Sequence, residues 1–290
     1  MDSLQIISNA IETIQQRTSI RTYEVDLSLD KQIDMIQQCI DHLPTSPFGG
    51  FTRFEVLELQ GLKKVQKLKL GTYGFVKKAE KFIIGIITEP SKYDLENIGF
   101  LFEYLILYAT QIGLGTVWLG GTFNRNAFAS QLNLRTGERI PVISPIGWAA
   151  QRQTLRSKAI KSIARSRDRK IWSQIFFDSN FNTPLSVDEA DEFTTPLEMI
   201  RLAPSASNSQ PWRIVKEHNK GIFHFYLHRK SSRSHNLISW PEFSRIDLGI
   251  AVSHFNLTVE QLQLDGNWLI DRPDISRPEN VDYLISWAAK

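Results

Sequence analysis

An α+β fold built from one unit used twice is what the sequence predicts, and three observations carry that reading. Helix, proline loop, strand, strand, long helix, glycine turn and tryptophan occur in that order in each half of the 290 residues. LPTSPFGGFTRFEV (43–56) lies over APSASNSQPWRIVK (203–216) without gaps, pairing Pro44 with Pro204 and Arg53 with Arg213 at a separation of 160. IGFLFEYLILYATQIGLGTVW (98–118) lies over LGIAVSHFNLTVEQLQLDGNW (248–268) at a separation of 150, with Gly99/Gly249, Leu107/Leu257, Gln111/Gln261, Leu114/Leu264 and Trp118/Trp268 identical. Two amphipathic helices share some residues by chance, so the common order of elements weighs more than these identities. Duplication of a unit implies pseudo-two-fold symmetry, as in a two-fold dimer joined into one chain. The expected division is a first half over 1–150, a basic tract and connector over 151–190, and a second half over 191–290.

Each element has its own signal. Leu4, Ile7, Ile11 and Ile14 form one apolar stripe of a first helix. A second helix runs from about Leu29 to His42, with Ile33, Ile36 and Ile40 on one side, and Pro44 and Pro47 stop it. Phe51–Leu59 alternates and reads as a strand, and Lys81–Thr88 as a more buried one. Ile98–Ile112 is apolar nearly all round, the mark of a buried central helix that Gly113 and Gly115 end. Thr116–Leu119 enters a strand, Asn124–Gln131 is a short helix, and Val142–Trp148 is another strand. A polar connector follows the basic tract. Pro196–Leu202 is helical, Arg213–Lys216 and Ile222–His228 are strands, and Ile246–Leu264 is a second long helix before a glycine turn and Trp268.

Composition sets outer limits. With 42% hydrophobic and 22% charged residues the chain is globular and long enough for a full core. One cysteine, Cys39, excludes an internal disulfide framework and a cysteine-rich metal site. The N-terminus lacks the basic start and apolar core of a signal peptide, and no apolar stretch is long enough to span a bilayer. A cytoplasmic protein without membrane association is expected. Net charge is +3, yet Arg152–Lys170 carries eight basic side chains against one acid, so the remainder is net acidic. Such a tract is a local anion site, a nucleic-acid patch or simply a solvated face. Aromatic residues hardly interleave with it, which argues against nucleic acid.

Two motifs carry chemistry. In RTSIRTY (17–23), Arg17, Ser19 and Arg21 alternate, and an extended chain turns alternate side chains to one face. Three donors on one face make an anion site, and the arginine fork matches phosphate. The plainer alternative is a polar helix exit with arginine near the C-terminal dipole. In APSASNSQPW (203–212), Pro204 and Pro211 fix the backbone while Ser205, Ser207, Asn208 and Gln210 offer donors and acceptors. That loop either meets a polar ring edge or satisfies its own backbone. His224 and His228 lack a nearby carboxylate or cysteine on their strand, so no metal site is expected. His254 on the long helix reads as a packed residue. No GxGxxG follows a strand, and neither a P-loop nor a Gly-x-Ser-x-Gly elbow occurs.

Arg-x-Ser-x-Arg-x-aromatic after the first helix resembles the N-terminal signature of the nitroreductase family of flavoproteins, and PSASNSQPW is similar to its second signature. GLGTVWLGG (113–121) resembles the family's long-helix exit and SPIGW (144–148) the strand before its C-terminal basic segment. The resemblance implies a nitroreductase-like FMN-binding fold. It also implies hydride transfer from NADH or NADPH and ping-pong reduction of nitroaromatic or quinone-like acceptors. The runner-up is a non-catalytic flavin binder or degenerate homologue.

The layout departs from ordinary members, where one subunit holds every signature and two subunits share each site. Here Phe48, Gly49 and Gly50 stand where the second half has Asn208, Ser209 and Gln210. Phe177 and Phe181 of FDSNF stand where the first half has Arg17 and Arg21. Each half keeps one part of the site, as in the family's single-chain branch, so one FMN per chain and a monomer are expected. Carried over by position, Arg17, Thr18 and Ser19 would hold the phosphate and ribityl chain, and Arg21 the pyrimidine edge. Pro204, Ser205, Ala206 and Asn208 would line the ring. Ala206 departs from a frequent hydroxyl. Gly120 or Gly121 would offer a backbone N–H to the reactive ring nitrogen, since a bare backbone approaches closely. Arg156 and Lys158 match the late phosphate-binding pair. The resemblance implies no catalytic side chain and no metal.

Overall fold

Apolar runs become strands in each half, most of them buried over several consecutive residues, and a long buried helix packs on them. The computed structural model describes residues 7–25, 27–59, 76–150, 168–229 and 240–290, leaving aside the side chains of 240 and 241. These residues fall into two units. Residues 16–150 belong to the first, and residues 8–15 join 168–290 in the second.

The first unit contains α2 (Asp30–Asp41), β1 (Phe51–Glu58), β2 (Lys81–Glu89), α3 (Asp94–Gln111), β3 (Gly115–Thr116), α4 (Arg125–Ala129) and β4 (Arg139–Gly147). Its sheet is antiparallel throughout, in the order β1-β2-β4-β3. Ile83, Ile84, Ile86 and Ile87 of β2 are fully buried, which explains the continuous apolar run there. One side of the core gathers Phe82, Ile84, Ile86, Val117, Leu119, Phe128 and Ile143. On α3, Ile98, Phe102, Leu105, Ile106, Leu107 and Ala109 are fully buried, and Phe102 stacks near Phe54 at 6.0 Å. The helix stops at Gly113, whose φ of 85° lets its N–H reach Thr110 while Leu114 N–H reaches Ala109.

The second unit contains α1 (Ala10–Gln16, whose last residue lies in the first unit), β5 (Phe176–Asp178), α5 (Val187–Ala190), α6 (Thr194–Leu202), β6 (Trp212–Lys216), β7 (Ile222–His228), α7 (Trp240–Gln261), β8 (Gly266–Leu269) and β9 (Val281–Ala289). Its sheet runs β5-β6-β7-β9-β8, with β5 parallel to β6 and every other pair antiparallel. Without β5, this is the first unit's order: first, second, fourth, third. Phe255 of α7 packs among Phe223, Phe225, Trp268 and Trp287 with centroids 5.3–5.8 Å away. The α1 segment is tied to α7, since Ile11 N–H donates to Gln261 Oε1 at 2.9 Å.

Several boundaries differ from expectation. The first helix begins at Ala10, after Asn9, so Ile7 is buried outside it, and Leu4 lies outside the described residues. The stretch read as a connector contains β5, and the chain ends in β9, which the repeat alignment stopped short of. The second long helix is stopped not by Gly266 but by Gln263, held at φ 56°, with Leu264 N–H bonded to Val259. Gly266 instead lies in β8, where a Cβ would overlap the Trp287 indole. No helix among the described residues is long and apolar enough to cross a membrane.

Candidate functional site

The sequence places its chemistry in two segments, one in each unit. In the first unit, residues 17–23 run extended and are stitched to neighbouring strands. Ser19 bridges Thr116 and Ile20 N–H donates to Thr116 O at 2.8 Å, while Tyr23 bridges Ala149. Gly115 permits this close approach, because a Cβ there would sit 2.8 Å from Ile20. Tyr23 is buried and donates from its hydroxyl to Ile20 O at 2.6 Å, which anchors the segment from its far end.

Arg17, Ser19 and Arg21 are half-buried and Thr18 is exposed. Burial lowers the pKa of Arg17, the Glu103 carboxylate opposes that shift, and Arg21 adds to it. Burial likewise lowers Arg21, against the influence of Tyr23. The two guanidinium groups therefore repel each other in a partly desolvated place. Among the described residues neither forms a hydrogen bond, and neither has a carboxylate within ion-pair distance. Glu103 is fully buried on α3 and accepts a 2.7 Å hydrogen bond from Trp118 Nε1. Thr116 Oγ1, on the rung beside Ser19, is buried with no partner among the described residues. The arrangement leaves two guanidinium groups whose donors match an anion such as phosphate in chemistry and geometry.

Gly120 is half-buried and Gly121 exposed, on the loop that leaves Leu119. Leu119 pairs with Ile143 through two 2.9 Å hydrogen bonds. Arg125 fixes that loop from below by donating to Gly120 O and Ile140 O while lying 5.0 Å over the Phe123 ring.

In the second unit, residues 203–212 form a turn with unusual backbone. Ser207, Asn208 and Gln210 have φ of 50°, 53° and 46°, a left-handed conformation that non-glycine residues avoid. The loop is held from two sides. Asp247, buried on α7, accepts from Ala206 N–H at 2.9 Å and from Ser209 Oγ at 3.3 Å. Arg169 donates to Asn208 Oδ1 and Leu202 O, each at 2.8 Å, and Asn208 Nδ2 donates to Asp168 O at 2.6 Å. Lys170 N–H donates to Gln210 Oε1 at 2.8 Å, and Ser205 Oγ accepts from Gln210 N–H at 2.9 Å. Pro204, Ser205 and Ala206 are half-buried, and Ser207 is exposed.

The loop at the aligned position of the first unit is built differently. Phe48 is buried between Tyr93 and Phe100, and Gly49 and Gly50 take φ of 64° and 92°. The FDSNF segment of the second unit is apolar in turn, with Phe177 and Phe181 packed beside Val215, Tyr226 and Val281.

The residues singled out from sequence thus fall into two groups. Arg17, Thr18, Ser19, Arg21, Gly120 and Gly121 lie in the first unit; Pro204, Ser205, Ala206 and Asn208 lie in the second. Arg156 and Lys158 lie outside the described residues. Sequence reasoning missed Glu103, Arg125 and Asp247, and read Arg169 and Lys170 only as the end of the basic tract. A signal existed for two of them, since Glu103 and Asp247 are lone acids within the apolar cores of long helices. Among the described residues no cluster of three His, Cys, Asp or Glu side chains could hold a metal ion.

Comparison with known proteins matches residues 9–259 to the family described as "Putative TM nitroreductase". A crystal structure described as a putative nitroreductase of Thermotoga maritima aligns with a TM-score of 0.58 and 20% identity, covering 97% of this chain and 93% of that one. This likeness shows a nitroreductase fold. An FMN-dependent nitroreductase of Clostridium difficile aligns over 52% of this chain and 93% of its own, with 18% identity and a TM-score of 0.40. A crystal structure described as a putative nitroreductase in complex with FMN, from Desulfovibrio desulfuricans, aligns over 53% of this chain and 95% of its own, with 22% identity and a TM-score of 0.41. No curated protein sequence matches the chain.

Proposed function

The chain belongs to the family described as "Putative TM nitroreductase", and from that premise we propose that it is an FMN-dependent oxidoreductase with one flavin per chain. Its electron donor is NADH or NADPH, and its acceptors are small nitroaromatic or quinone-like molecules. The observation that carries the reading is the Arg17 and Arg21 pair, partly desolvated, mutually repelling and without hydrogen-bond partners among the described residues. A phosphate dianion would relieve that repulsion and take both forks.

When bound, FMN supplies reversible two-electron chemistry, accepting a hydride from the nicotinamide and delivering electrons to the acceptor. The chain's own residues bind and orient. Arg17, Thr18 and Ser19 hold the phosphate and ribityl chain, with Arg156 and Lys158 as a second basic pair. Arg21 lies at the pyrimidine edge, where positive charge favours the anionic reduced ring. Gly120 or Gly121 offers an N–H to the ring's reactive nitrogen, on a loop that Arg125 keeps in place. Pro204, Ser205 and Ala206 line the ring. Asn208 serves chiefly through the shape of the loop, because Arg169 and Asp168 engage both ends of its amide. No side chain is assigned an acid–base role.

The reading also holds that the two units arose by internal duplication. The aromatic filling by Phe48 in one unit, and by Phe177 and Phe181 in the other, supports a single flavin. As in the family's single-chain branch that the layout resembles, the protein is a monomer in this reading.

The test is an absorbance spectrum of the purified protein, followed anaerobically as NADH and then NADPH are added. Bands at roughly 370 and 450 nm, at about one FMN per chain and bleached by a nicotinamide, are expected. Two flavins per chain would sink the one-site proposal. Flavin that no nicotinamide bleaches would refute the enzymatic reading. No uptake on reconstitution with FMN would refute the cofactor.

A further inference from the structure

We propose that Asp247, opposed by Arg169, is a positioning residue that holds loop 204–211 in its ring-facing conformation; this rests on the flavin reading above. Three residues of that loop adopt left-handed backbone without being glycine. Such a loop does not keep its shape through local preference. Something outside it must hold it; Lys170 ties down its far end, with Nζ donating to Gln210 O at 2.9 Å, and two charged side chains grip its middle. Asp247 takes the Ala206 N–H and the Ser209 hydroxyl from one side. Arg169 takes the Asn208 amide oxygen and ties it to Leu202 O from the other. Between these anchors lies Ser207, with its exposed side chain.

The other unit supplies the contrast. The position that lies 150 residues before Asp247 is Asn97, at the same register of the long helix. Asn97 is 1% exposed, its Oδ1 has no partner among the described residues, and its Nδ2 makes a long 3.4 Å hydrogen bond to Thr52. The loop beside it takes its left-handed turn at Gly49 and Gly50. Glycine needs no brace for that backbone. An acid brace thus accompanies the loop that keeps side chains in a strained turn, and is missing where glycine has replaced them. The pairing makes sense if the side chains and backbone of 204–211 must stand in one fixed place. In the flavin reading on which this rests, the loop serves the ring and not the phosphate.

The test uses the full-length protein and two ligands, FMN and riboflavin, which share the ring and differ in the phosphate. Amide hydrogen exchange across 204–211 is measured without added flavin, and Kd for both ligands follows from fluorescence quenching. Asp247→Ala is expected to speed exchange in the loop while β6 and β7 stay protected. It should weaken FMN and riboflavin by one common factor of about tenfold, the size of one lost charge-assisted hydrogen bond. Asp247→Asn, which keeps an acceptor for Ala206 N–H, should restore most of both affinities. Unchanged exchange in Asp247→Ala overturns the brace. Faster exchange with both affinities unchanged overturns its positioning role, as does a loss confined to FMN. If Asp247→Ala does not fold, Arg169→Ala decides: an equal loss for both flavins supports the proposal and no loss overturns it. Failure of the wild-type protein to bind either flavin overturns the functional reading and this proposal together. Tight wild-type binding that Asp247→Ala leaves intact overturns this proposal alone.

Discussion

Replacing Arg17 with alanine separates the phosphate from the ring in a single measurement. In the folded chain the Arg17 guanidinium is already partly desolvated, and Arg21 already repels it. Much of the unfavourable part of building an anion site is therefore present before any ligand arrives. A phosphate would gain two charge-assisted hydrogen bonds from the arginine fork, each worth roughly 1.5–3 kcal/mol. Glu103 offsets part of this gain, because the same carboxylate that favours charged Arg17 repels a dianion. A net loss of about 3 kcal/mol on removing Arg17 is the result, on the order of a hundredfold in Kd for FMN. Riboflavin has no phosphate, so its affinity should stay within about threefold.

The assay is equilibrium fluorescence quenching with both ligands, alongside thermal melts of each variant. Arg21→Ala provides the internal contrast: assigned to the ring edge, it should weaken both flavins together. Glu103→Gln keeps an acceptor for Trp118 Nε1 and removes the negative charge, so FMN should bind several-fold more tightly while riboflavin is unchanged. Equal losses of FMN and riboflavin in Arg17→Ala, with an unaltered melt, would refute the assignment of Arg17 to the phosphate.

Three further predictions concern the frame that carries the site. The Arg53 guanidinium forks onto Glu138 with hydrogen bonds of 2.9 and 2.7 Å and holds its carboxyl down to about 2. A depressed folded pKa stabilises above the ordinary carboxylate range and is lost as pH falls toward 2; Glu138→Gln should cost about 2 kcal/mol at neutral pH and flatten acid denaturation below about pH 4.5 in urea titrations. His224 is buried between Ser286 Oγ at 2.7 Å and Glu217 Oε1 at 3.1 Å, and burial lowers its pKa from 6.5 although Glu217 opposes this. A lowered histidine binds its proton more readily when unfolded, so stability should fall as pH drops below about 6.5, and His224→Gln should remove that slope in the same titrations. Gly266→Ala would force a Cβ into the Trp287 indole and should lower stability by about 1–3 kcal/mol by calorimetry; an unchanged melt would contradict the packing described.

Much of this architecture is legible because periodicity survives in long elements. The strands β1, β2, β4, β6 and β7 and the helices α2, α3 and α7 follow their apolar patterns closely. What was not legible is short or depends on distant partners. Phe176–Asp178 is three residues long, too few for alternation to show, and becomes a strand only by pairing with Ile214–Lys216. Val281–Ala289 has no counterpart in the aligned windows, although β4 in the first unit forecasts it by position. Gln263 ends a helix in a conformation that composition assigns to glycine. At the site, the arginines and the proline-bounded loop stand out as local motifs. Their supports do not, because Asp247 lies 41 residues from Ala206, and Arg169 lies 39 from Asn208. Only folding brings such pairs within hydrogen-bond distance.

Under the proposed duplication, a division of labour between the units follows from their being on one chain. In a symmetric dimer a substitution appears in both sites at once, so a phenylalanine that fills one fills the other. Two copies in one polypeptide escape that constraint. One loop can exchange its polar residues for Phe48, Gly49 and Gly50 while the other keeps Asn208, Ser209 and Gln210. On that proposal the long helices differ to suit, Asn97 lying beside a glycine turn and Asp247 beside a strained one. Both units nevertheless retain the same strand order and the same left-handed helix stop, at Gly113 and at Gln263. Packing of a buried helix on a sheet constrains both copies equally. In the proposed reading the flavin constrains only the loop that faces it, so the loops differ where the cores do not.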